Sequence, residues 1–135
     1  MADIIEKLLD TLGYEYSFSE KYNSYEVNLH FDDDRQQRVY VKKHPEKVNG
    51  VEFREIWSPS FVLPEKISNA LALRLLENNN YRAIGAWSYN AEERMVYFSS
   101  KVIDNLSAAV LDAILIAVAS DADRLEQKVM GVDIM

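Results

Sequence analysis

Hydrophobic positions change period several times along the chain, and each change predicts an element. Ile4, Ile5, Leu8, Leu9 and Leu12 recur at helical spacing with Glu6, Lys7, Asp10 and Thr11 between them, the pattern of a short one-faced helix. Asp3 and Glu6 suit an N-terminal capping pair, and Gly13 suits a left-handed stop. The period then falls to two. Tyr14, Tyr16 and Phe18 alternate with Glu15, Ser17 and Ser19, and after Asn23-Ser24 come Tyr25, Val27, Leu29 and Phe31 against Glu26, Asn28 and His30. These predict strands with one dry face. Asp32-Asp33-Asp34 makes the next turn. Val39 and Val41 then alternate with Arg38, Tyr40 and Lys42 until His44-Pro45 ends the run, because proline has no donor for a ladder. An extended stretch over residues 51–57 follows Asn49-Gly50.

In the second half, Pro64 suits a first helical position, with Ile67, Leu71 and Leu75 on one stripe and Ala72, Leu73 and Leu76 on an adjoining one. Asn78-Asn79-Asn80 ends that helix, asparagine being tolerant of the left-handed conformation. Residues 82–89 and 94–100 read as a hairpin, and its second strand is apolar on both faces: Val96 and Phe98 one way, Met95 and Tyr97 the other. The last helix runs over residues 106–127, with Asp104, Asn105 and Ser107 available as caps. Leu111, Leu115, Val118, Ala122 and Leu125 form its main stripe, and Ala109, Ala113, Ile116 and Ser120 a second face that also predicts burial. The expected fold is α+β: helix, antiparallel meander of three to four strands, helix, β-hairpin, long C-terminal helix. With 135 residues and no linker or repeat, it forms one domain over 1–135.

Composition narrows the chemistry. The chain is 48% hydrophobic and carries a net charge of −7, so it can build a core and escapes the signature of disorder. It contains no cysteine, which excludes disulfides, thiolate catalysis and cysteine-held zinc or iron–sulfur clusters. Its start lacks a basic region followed by an apolar core, so no signal peptide is read and a cytoplasmic address is the default expectation. The four glycines are far apart, which rules out phosphate loops built on clustered glycine. His30 and His44 have no partners at metal spacing, the three aspartates lack the pattern of a calcium loop, and no serine sits in a nucleophile elbow. The expectation is therefore a non-enzyme without metal or cofactor. The apolar run 106–119 is too short to span a bilayer and contains Asp112, so no membrane partner is expected.

Charge is unevenly spread. Residues 35–47 hold five Lys or Arg against one Glu, a local +4 that leaves −11 for the rest. The acidic remainder would repel polyanions, so nucleic acid is not the expected partner. Arg38, Tyr40, Lys42 and Lys43 instead form a candidate patch for a protein or peptide segment, placed to receive an acidic extended segment by strand addition. A rival reading is a small-molecule-binding domain or small enzyme with a pocket around Trp57, Phe61 and Trp87. Leu73 and Leu76 exceed what one sheet face covers, which predicts a symmetric homodimer through the second helix.

Three groups of residues bear a resemblance: Leu75-Leu76-Glu77-Asn78-Asn79, then Gly85-Ala86-Trp87-Ser88, then Ala122-Asp123-Arg124-Leu125-Glu126. In that order, after a helix and a meander, they resemble a YbjN-type domain of the type III secretion chaperone-like fold over about residues 4–128. The resemblance implies a small acidic bacterial protein, often dimeric, that works by binding another protein in a chaperone or regulatory role. A dedicated secretion chaperone is the narrower form of that expectation. It implies no catalytic residues, and the basic stretch 35–47 and apolar tail 132–135 have no counterpart in it.

Overall fold

A computed structural model describes residues 3–31 and 34–128; Asp32, Asp33 and the tail 132–135 lie outside the described residues. The chain is α+β in the order α1 (Ile4–Leu12), β1 (Tyr16–Ser19), β2 (Ser24–His30), β3 (Gln36–Lys42), β4 (Glu46–Val48), β5 (Val51–Val62), α2 (Asn69–Asn79), β6 (Ala86–Asn90), β7 (Met95–Ile103) and α3 (Ala108–Lys128). The strands make one antiparallel sheet ordered β1-β2-β3-β5-β7-β6, with β4 attached to β5.

Local chemistry explains where elements begin and stop. Asp3 caps α1 by accepting the Ile5 N–H at 2.9 Å, while the Glu6 carboxylate takes the Tyr25 hydroxyl at 3.1 Å. Gly13 adopts φ +78°, and the Gly13 and Tyr14 N–H groups return to Asp10 and Leu9 carbonyls at 3.1 and 3.2 Å, satisfying two end carbonyls at once. Helix α2 starts later than Pro64 suggests, because Ser68 supplies a true cap to the Leu71 N–H at 3.1 Å. It also ends differently: Asn80 is right-handed, and the Asn78 and Asn79 side chains leave the helix to bind Trp87. At α3, Ser107 caps the first turn through the Val110 N–H; Asp104 is taken by Arg54.

Strand β5 outruns the expected 51–57 and passes through Pro59 with a register shift before Phe61. Proline is tolerated because the β3 pairing on that side is confined to Tyr40↔Trp57 and Val41↔Ile56. Side chains fill the gap beyond: Gln37 donates to the Ser58 hydroxyl at 2.8 Å and the Pro59 carbonyl at 2.7 Å, and Ser58 donates to the Arg38 carbonyl. Strand β6 begins at Ala86 rather than residue 82. Just before it, a Cβ on Gly85 would meet the Ser99 carbonyl at 2.6 Å and the Phe98 ring at 2.7 Å, so the approach admits only glycine.

The core lies on one face of the sheet. Ile5 and Leu9 of α1, Leu75 of α2 and Leu111, Leu115, Val118 and Ala122 of α3 pack with Val27, Val39, Val41, Ile56, Val96, Phe98 and Trp87. Helix α3 buries this stripe with the adjoining Ile114 and Ala119. The face expected to form a second buried surface is open: Ala109 and Ala113 are exposed and Ile116 is 47% exposed. Helix α2 shows the same asymmetry, with Leu75 buried and Leu73 and Leu76 at 60% and 63% exposure.

Candidate functional site

Alternation along the central strands sends every second side chain to the face opposite the helices. There Tyr40, Trp57 and Met95 are buried in a second, separate cluster, with Tyr22 and Tyr97 packed against it. Tyr40 and Trp57 stack at 4.5 Å with their planes 22° apart. Tyr22 meets Trp57 edge-on at 4.9 Å, and Tyr97 closes on it at 5.5 Å. Among the described residues, no apolar helix residue belongs to this cluster.

The rings define a hollow of about 260 Å³ walled by Tyr22, Trp57, Tyr97 and Met95, with Lys21, Lys42, Glu55 and Asn90 as its polar lining. Tyr22 reaches the face from the β1–β2 turn, where Asn23 takes φ +49°. It is held there by the β6–β7 turn: the Tyr22 hydroxyl donates to Glu93 at 2.9 Å, and Lys21 pairs with the same carboxylate at 2.6 Å. Hydrogen bonding to Lys21, then to Tyr22, holds the Glu93 carboxyl below the usual carboxylate range. Glu55 accepts the Ser99 hydroxyl, whereas its pairing with Lys42 is long, at 3.7 Å. Burial, followed by the bond to Glu26, pushes the Tyr40 phenol up to about 12.

Beyond a polar row, Glu55 opposite Lys101, the same face ends in exposed apolar side chains at one end of the sheet. Val51 and Phe53 share the Trp57 side of β5 by alternation, and their cross-strand partners are Val48 and Ile103. Val48, Val51 and Ile103 are 56%, 42% and 59% exposed.

The expected site residues are distributed unequally. Tyr40 and Lys42 join the aromatic cluster and its hollow, and Arg38 lies on the same face beside a second hollow at the β3–β5 gap. Lys43 departs from them, with its ammonium 5.2 Å from the Phe18 ring. Strand β3 is paired along its length with β2 and at Tyr40 and Val41 with β5, and at Arg38 its outward carbonyl is taken by the Ser58 hydroxyl. Trp57, Phe61 and Trp87 do not share a pocket. Trp57 lines the hollow above, Phe61 the gap beside Pro59, and Trp87 a third hollow against α3. Sequence reasoning missed Tyr22, Lys21 and Glu93, which lie in turns. The available signal was β7, apolar on both faces.

Among the described residues, no cluster of three or more His, Asp or Glu side chains is placed to hold a metal, and no helix is long and apolar enough to cross a membrane. The chain matches no protein-family model and no curated protein.

Proposed function

We propose that this protein is a non-enzymatic protein-binding module, chaperone-like or regulatory, that holds a segment of a partner protein across the open face of its sheet. One observation carries the reading: a sheet face that no helix of the described residues covers, bearing a second aromatic cluster and, beyond the Glu55–Lys101 row, exposed Val48, Val51 and Ile103. Exposed apolar side chains grouped beside polar ones are characteristic of interaction sites. Arg38 and Lys42 add cationic flanks on the same face, which favours an acidic segment. A kinship with YbjN-type domains and secretion chaperones fits the element order and remains part of the proposal, as do a homodimer through Leu73 and Leu76 and a cytoplasmic setting.

Strand addition to β3 is replaced by face binding in this reading, because β3 is paired with β2 along its length and with β5 at Tyr40 and Val41, and the Gln37 and Ser58 side chains close the gap beyond. The test is Arg38→Glu combined with Lys42→Glu, scored by capture of the native partner with circular dichroism as the control for folding. Capture should fall and lose its salt dependence. Undiminished capture with unchanged salt dependence would return the face to ordinary surface.

A further inference from the structure

We infer that the hollow beside Trp57 is a specificity pocket for a single aromatic side chain of the partner segment, flanked in that segment by a carboxylate. This inference rests on the protein-binding reading and names what the face selects. Size is the first argument. At about 260 Å³ the hollow falls below the roughly 300–1,000 Å³ of sites for whole drug-sized ligands, so it suits one ring. The lining is the second. Tyr22, Trp57 and Tyr97 offer ring edges and faces, with Met95 as a soft sulfur contact, which together favour an aromatic guest.

Charge selects the flank. Two ammonium groups line the hollow against one carboxylate, Glu55, on a protein whose net charge is −7. Lys21 is committed to Glu93 at 2.6 Å. Lys42 stands 3.7 Å from Glu55, a carboxylate that already accepts the Ser99 hydroxyl. Lys42, held only by this longer pairing, is the cation that can turn to an incoming acid, and the Asn90 side-chain N–H groups can donate to the guest's backbone, the Asn90 oxygen being taken by the Glu93 N–H at 3.2 Å.

The two tryptophans make the test internally controlled, because Trp57 and Trp87 lie on opposite faces of the sheet. The probe is a capped five-residue peptide with a central phenylalanine between two glutamates, titrated into ¹⁵N-labelled full-length protein. The indole N–H resonance of Trp57 should shift saturably and that of Trp87 should stay in place. Lys42→Gln should weaken binding about three-fold, the size expected of one exposed ion pair, and the same peptide with glutamine for glutamate should bind weaker by at least that factor. No shift at Trp57 up to millimolar peptide would overturn the inference. So would equal binding of the glutamine peptide, or a saturable response to free phenylacetate without one to the peptide. If the peptide fails while partner capture still depends on Arg38 and Lys42, this inference falls alone and the protein-binding reading stands.

Discussion

Single side chains close this sheet where backbone cannot. Strand β6 is outermost, and the outward N–H and C=O of Trp87 would present a template for another chain. The Asn79 amide occupies both, accepting the N–H at 2.6 Å and donating to the carbonyl at 3.4 Å, while Asn78 accepts the indole N–H at 2.8 Å. Asn79→Ala should cost about 1–3 kcal/mol by leaving a buried donor without a partner, and Asn79→Asp should cost less because it keeps the acceptor. Urea midpoints of the two variants check the order; equal midpoints with the parent would show that the edge is closed by packing instead. Tyrosines carry a pH signature on the same scale. Burial, and then the bond to Asp112, pushes the Tyr14 phenol up to about 12, and Tyr40 is raised similarly from the ordinary value of 10.0. A pKa raised in the folded state means that the native protein holds its proton more tightly. That stabilisation is fully present below pH 10 and is lost as pH rises through about 12. Stability measured by urea should therefore decline between pH 10 and 12, and Tyr14→Phe with Tyr40→Phe should flatten the decline. A slope unchanged in the double variant would assign alkaline loss to other groups.

Elements are joined through one buried cation. Arg54 on β5 is 3% exposed, yet every nitrogen of its guanidinium is engaged: Asp104 at 2.7 and 3.0 Å, and the Lys42 and Lys43 carbonyls at 2.6 and 2.8 Å. It ties the end of β3 and the approach to α3 onto β5. Arg54→Met should destabilise by about 3–5 kcal/mol, since Asp104 is left uncompensated, whereas Arg54→Met with Asp104→Leu should recover much of the loss. Thermal melts of both variants decide; a double variant no better than the single would place the cost in the two carbonyls. This tie was not legible in the chain, because an arginine inside alternating strand residues carries no mark of its partner 50 positions away. Periodicity did expose α1, β2, β3 and the main stripe of α3, each turning an apolar stripe to the main core. It overextended α2 and the second face of α3, where apolar residues stand in solvent. The short polar strand β4, Glu46–Val48, follows a proline and shows no alternation; only the Asn49-Gly50 dipeptide announces its hairpin, with φ +50° and +80°. The site was half legible. Tyr40, Lys42 and Trp57 lie in strands, but Tyr22 reaches them from a turn, and that meeting is tertiary.

At the scale of the molecule, beside the open outer face of α3, two further apolar surfaces remain among the described residues after the core has formed, and they lie on different elements. One is the open sheet face proposed to hold a partner. The other is on α2 and the connection after it, where Leu73, Leu76 and Tyr81 are 60%, 63% and 78% exposed. Residues so exposed contribute little to the fold of one chain, so burying them needs a second body. A second copy satisfies this with one patch used twice, the economy of a two-fold interface. If the surfaces serve different purposes, their variants must act independently, as distant sites do. Leu73→Glu with Leu76→Glu should yield a monomer in sedimentation at micromolar concentration, while its intrinsic fold, judged by circular dichroism, is retained. Its melting temperature should lose the dependence on protein concentration that a dimer confers. Arg38→Glu with Lys42→Glu should leave the sedimentation unchanged. A parent protein that sediments as a strict monomer would remove the dimer from the proposal, and dissociation by the sheet-face variant would move the two-fold interface to the face of Trp57.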